Sequence, residues 1–68
     1  MENEAQKLGQ NLKRLRTKKA ISQGDIARTL KVNKSYISNV ENGKANPTLA
    51  TIAKLAKAIG ISVGELIK

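Results

Sequence analysis

Residues 23–43, QGDIARTLKVNKSYISNVENG, carry two apolar patterns of helical spacing, each too brief to stand alone. Ile26, Ala27 and Leu30 mark the first; Ile37 and Val40, with Val32 ahead of them, mark the second. An isolated helix under about 12 residues is marginal in water, because nucleation costs more than so few hydrogen bonds return. The two must therefore pack on each other and on the rest of the chain. Only Lys31, Val32 and Asn33 lie between them, which leaves room for no more than a tight turn.

The flanking segments supply the packing partners. Leu8, Leu12 and Leu15 recur at helical spacing over about residues 6–19, with Arg16 beside the stripe and Lys13, Arg14, Lys18 and Lys19 on the other faces. Glu2 and Glu4 sit where the positive end of a helix favours acids, and the later cations suit the opposite end. Gly9 interrupts this helix at a cost of up to about 1 kcal/mol against alanine, which predicts close packing there or a frayed first turn. Ser22 is placed to cap the next helix, with Asp25 as a partial capping box and Ile21 as a hydrophobic staple. Asn33 is the corresponding cap for the second short helix, and Gly43 is free to end it in the left-handed conformation. After the turn at Asn46-Pro47, Thr48 caps a helix carried by Leu49, Ile52, Leu55, Ala56 and Ile59 and stopped by Gly60. Ser62-Val63-Gly64-Glu65 has the form of a capping box and opens a short last helix with Val63, Leu66 and Ile67 apolar. No strand-type alternation occurs. The expected fold class is all-α, one compact domain over residues 1–68 built of five short helices.

At 68 residues the chain is close to the size at which a single core barely offsets the entropy of ordering it. One Tyr with no Phe or Trp makes that core aliphatic. The absence of Cys and His excludes disulfides and thiolate ligands and removes the commonest general base and metal ligand. The carboxylates are scattered, Ser35 and Ser38 have no His to activate them, and Gly43-Lys44-Ala45 lacks the spacing of a phosphate loop. The expectation is a protein that is not an enzyme and holds no metal or cofactor. Thirteen Lys and Arg against five acids give a net charge of +8, which points to a polyanion, most often nucleic acid. No apolar run approaches the roughly 20 residues of a membrane span and no signal-peptide pattern opens the chain, so a cytoplasmic protein without a membrane partner is expected.

The polyanion has an obvious place to bind. Over about residues 34–42, at about 100° per residue, Lys34, Ser35, Ser38, Asn39 and Asn42 share an arc of about 140°. Tyr36, Ile37, Val40 and Glu41 fill the other side. A face of Ser and Asn has poor helix propensity and offers no ion pairs four residues apart, so selection for stability alone would not produce it. Its side chains are of the kinds that hydrogen-bond base edges, Lys to guanine and Asn to adenine. Two short helices joined by a tight turn are the helix-turn-helix arrangement, whose second helix enters the DNA major groove. Arg16 and Glu41 each lie beside an apolar stripe, and because a half-buried charge needs a partner they are expected to pair in the interior.

The run Ser22-Gln23-x-x-Ile26-Ala27, with Val32, Ile37-Ser38-x-Val40-Glu41-x-Gly43 and Pro47 after it, resembles the Cro and phage-repressor type of helix-turn-helix, the XRE family. The resemblance covers nearly the whole chain. It implies a lambda-repressor-like five-helix domain, with a helix-turn-helix core over about residues 22–43, that binds double-stranded DNA as a small transcriptional regulator. Its recognition helix would be about residues 34–42. By that resemblance Lys34, Ser35, Ser38 and Asn39 read bases, Gln23, Tyr36, Asn42, Lys44 and Asn46 hold phosphates, and Arg16 pairs with Glu41. Two positions depart from the pattern. Lys31 stands where many relatives have glycine, and would take a left-handed conformation at about 1–2 kcal/mol or adjust the turn. Ala20 stands where glycine often ends the first helix.

A single module buries about 600–1,000 Å² on DNA, which is little for choosing one operator, so two copies are expected. Val63, Leu66 and Ile67 follow a complete four-helix core in a helix too short to hide all three. They are the expected homodimer contact on a roughly palindromic operator, the alternative being that they cap the monomer's core. The competing function is a protein-interaction module or an antitoxin of the same fold, whose main partner is another protein such as a toxin. The basic balance and the polar face favour DNA.

Overall fold

Short polar side chains set the helix starts. Asn3 accepts from the Gln6 backbone N–H at 2.8 Å, and the Gln6 side chain answers, so a full capping box opens α1 (Glu4–Lys18). The helix begins ahead of its leucine stripe because the cap decides the start. The computed structural model describes residues 3–68, so the expectation for Glu2 lies outside the described residues. Ser22 and Asp25 form both arms of the box that opens α2 (Gln23–Leu30). Asn33 occupies the cap position of α3 (Lys34–Glu41) with extended backbone, but its side chain makes no capping bond, contrary to expectation. Its exposure lets water satisfy the first backbone donors instead. Thr48 accepts from Thr51 N–H at 3.2 Å to open α4 (Leu49–Ile59), and Ser62 from Glu65 N–H at 3.3 Å to open α5 (Val63–Ile67). There is no strand among the described residues, and no helix is long and apolar enough to cross a membrane.

The core is aliphatic. Leu8, Leu12 and Leu15 of α1 meet Ile26 and Ala27 of α2, Ile37 and Val40 of α3, Leu55, Ala56 and Ile59 of α4, and Leu66 of α5. Ile21, Leu30, Tyr36, Ile52 and Val63 pack around the margin. α1 packs on α3 and α5, and α2 on α3 and α4, so α3 is held from two sides and keeps one side open. Three apolar positions of the helical patterns lie outside this core: Val32 in the turn, Leu49 at the first position of α4, which is 70% exposed, and Ile67 in α5.

At Gly9 the packing is close, with no fraying. A Cβ there would fall 2.5 Å from the Glu41 carbonyl oxygen and 2.8 Å from its carbon, so the backbones of α1 and α3 cross almost in contact. Ala20 and Lys31 both take the left-handed conformation, at φ 58° and 60°. The turns therefore keep their geometry and the non-glycine residues carry the strain.

Leu66 is a correction. It is 0% exposed within the monomer's own core, so it is not available to a second copy. Asn11 on α1 donates through Nδ2 to the carbonyls of Leu66 at 2.8 Å and Lys68 at 3.3 Å, which pins α5 with this residue facing inward. Val63 is half-buried against the same core, and only Ile67, 54% exposed, looks outward.

Candidate nucleic-acid interface

Helix α3 divides into two sides. Ile37, Val40 and Glu41 are buried and Tyr36 is half-buried against the core. Lys34, Ser35 and Asn39 are exposed, Ser38 is half-buried beside them, and Asn42 stands exposed just past the helix end. Asn42 Nδ2 lies 3.4 Å from Ser38 Oγ, so these two share one stretch of surface. The turn that aims α3 is closed by backbone bonds from Lys31 N–H to Arg28 O at 3.3 Å and from Val32 N–H to Ala27 O at 3.0 Å.

Behind this face lies a buried polar cluster. Arg16 Nε donates to Glu41 Oε2 at 2.6 Å and Arg16 Nη2 to Oε1 at 3.2 Å, while Nη1 reaches the Ile21 carbonyl at 2.8 Å. The two side chains are 14% and 2% exposed. Gln23, the first residue of α2, donates through Nε2 to Glu41 Oε1 at 2.9 Å. A carboxylate taken out of water is tolerated only when its lone pairs are met by well-placed donors, and here three serve it. Among the described residues no buried side-chain polar atom lacks a partner. The cluster joins α1, α2 and α3 at one carboxylate. An amide nitrogen has two hydrogens, and Glu41 takes one of those of Gln23.

The segment after α3 turns back on itself. Gly43, at φ 74°, donates to Val40 O at 3.1 Å and Lys44 N–H to Asn39 O at 2.8 Å, which satisfies the last carbonyls of the helix. Ala45 packs against the core, and the flanking Lys44 and Asn46 are left exposed.

Few of the cations are matched. Besides Arg16–Glu41, the ion pair among the described residues is Arg28 with Asp25. Asp25 also accepts from Ser22, whose backbone and then side-chain hydrogen bonds, aided by Arg28, hold its carboxyl below the usual range. The surface is thus rich in donors and positive charge, and a helix about 10–12 Å across fits a major groove about 12 Å wide. Two contacts escaped the sequence reading. Gln23 on Glu41 has no sequence signal beyond its place at a helix start. Asn11 is a lone amide beside the leucine stripe, and its partners lie at the far end of the chain.

Residues 12–66 match the family described as Helix-turn-helix. The uncharacterized HTH-type transcriptional regulator y4dJ of Sinorhizobium fredii is 37% identical over 60 residues, covering 88% of this chain and 78% of the relative. Control protein C.MunI of a Mycoplasma species is 36% identical over 61 residues, covering 88% and 82%. The restriction-modification controller protein C.AhdI from Aeromonas hydrophila has a similar structure, with a TM-score of 0.85 at 42% identity over 91% of this chain and 94% of that one. Through the two short helices, the turn between them and the length of the match, this chain belongs to the XRE type of the helix-turn-helix family.

Proposed function

We propose that this chain is a small transcriptional regulator that binds double-stranded DNA by sequence, with α3 in the major groove and two copies on a roughly palindromic site. The observation that carries the reading is the open side of α3, where Lys34, Ser35 and Asn39 are exposed while its other side is locked into the core. Lys34, Ser35, Ser38 and Asn39 read base edges, and Gln23, Tyr36, Asn42, Lys44 and Asn46 hold the phosphates on either side. The relatives named as transcriptional regulator and controller protein support the same reading. It involves no catalytic step and places the protein with the DNA in the cytoplasm.

The dimer contact is redrawn around Ile67, with Val63 at its edge. A two-fold contact there sets the recognition helices about 34 Å apart, one turn of DNA. Selection from a random duplex pool, followed by gel shifts over a salt series, tests the function. Asn39→Ala should lose about 1–3 kcal/mol and relax preference at particular base pairs. Lys44→Ala should weaken all duplexes alike and reduce the salt slope by about one. Unchanged affinity and preference in Asn39→Ala would refute the assignment of α3. Sedimentation of Ile67→Lys tests the dimer without touching the core: two copies per duplex surviving that change would remove Ile67 from the contact.

A further inference from the structure

A cleft of about 550 Å³ lies between the C-terminal end of α2 and the outer flank of α4, lined by Thr29, Leu30, Lys31, Lys54, Lys57 and Ala58. It shares no residue with the recognition surface. Its apolar part is Leu30 and Ala58, both packed against the core from outside. The Thr29 hydroxyl is committed to the Asp25 carbonyl at 3.0 Å. Lys31, Lys54 and Lys57 surround that patch. None of them forms an ion pair among the described residues, and no carboxylate lines the cleft. The nearby acid of α2, Asp25, is held by Arg28 and Ser22. Lys31 holds its place at φ 60°, where glycine would be free of strain. Three like charges are thus gathered around an apolar patch with nothing in the fold to neutralise them.

We infer that this cleft docks an acidic segment of a partner protein, one apolar side chain seated on Leu30 and Ala58 and flanking carboxylates held by Lys31, Lys54 and Lys57. A phosphate backbone would satisfy the lysines but has nothing to place on Leu30 and Ala58. A segment that alternates carboxylates with an aliphatic residue matches both parts of the lining. The inference stands apart from the reading of α3, since neither set of residues serves the other.

The probe is a synthetic peptide of glutamate pairs separated by single leucines, titrated into the ¹⁵N-labelled full chain. Saturable shift changes centred on Thr29–Lys31 and Lys54–Ala58 are expected. Binding should weaken at least about tenfold when the peptide's glutamates become glutamine, or when its leucines become serine. The Lys54→Glu, Lys57→Glu double variant should lose the peptide while holding a selected duplex within about twofold of the parent. Both positions are exposed, and the milder Lys54→Gln, Lys57→Gln pair provides the same comparison should the reversal disturb folding. Shift changes spread over the whole basic surface without saturating would mean bulk charge attraction and overturn the proposal. So would a loss of duplex affinity in step with the peptide, which would make the cleft part of the phosphate surface.

Discussion

Gln23 donates its side-chain amide to Glu41 at 2.9 Å, so the residue that opens α2 toward the proposed DNA face hangs on the carboxylate that neutralises Arg16. Fold and interface meet at one side chain. Glu41→Ala should strand the guanidinium of Arg16 and cost about 3–5 kcal/mol, a large share of what so small a domain has. Gln23→Ala leaves the ion pair in place and should cost only about 1 kcal/mol, while weakening all duplexes alike. Urea unfolding of the two variants separates these effects. A Glu41→Ala protein as stable as the parent would show that the pair contributes nothing net.

At Gly9 two effects oppose each other. Alanine gains about 1 kcal/mol of helix propensity. Its Cβ, however, would press on the backbone of Glu41, which cannot step aside, and overpacking of this kind costs about 1–3 kcal/mol. Gly9→Ala should therefore melt lower than the parent. A higher melting temperature would mean that the crossing of α1 and α3 has slack.

Ala20 and Lys31 predict the opposite sign. Each sits at positive φ, and glycine there relieves about 1–2 kcal/mol of strain against about 0.5–1 kcal/mol of added chain entropy. Ala20→Gly and Lys31→Gly should each stabilise by about 0.5–1 kcal/mol, which raises the melting point by several degrees in a domain of this size. Calorimetry of the single and double variants checks both the sign and the additivity expected of separate turns.

Asp25 gives the pH dependence. Its carboxyl is held below its ordinary value of 3.8, first by hydrogen bonds from Ser22 and then by Arg28. A lowered folded pKa means stability that is present above the unfolded value and lost as pH falls through the folded one. The stability gap between wild type and Asp25→Asn should be constant from about pH 5 to 8 and shrink below about pH 4. A gap that persists undiminished into stronger acid would show that Ser22 does not favour the charged form.

The helices were legible because their signals are local. A cap such as Ser22 or Thr48, a periodic run such as Leu8-Leu12-Leu15 and a stop such as Gly60 act within a turn or two of chain. The open side of α3 was legible for the same reason, since helical phase alone assigns Asn39 outward and Val40 inward. What periodicity could not assign was which apolar residue finds a partner. Leu49 and Leu66 look alike as pattern, yet one is at a helix end beyond the core and the other is sealed inside it. That choice depends on contacts such as Asn11 with Leu66, made across 55 positions of chain.

The same long-range tie bears on assembly. α5 has five residues and is far too short to hold a helix by itself, so it exists because α1 grips its carbonyls and Leu66 fills the core. Any surface it offers to a second copy is therefore a product of the finished monomer. In the proposed dimer two folded chains are needed for each pair, so the supply of pairs would follow the square of the folded fraction. A substitution in α1 that touches neither DNA nor the proposed subunit contact would then lower the supply of pairs about twice as steeply, in fractional terms, as it lowers the folded fraction.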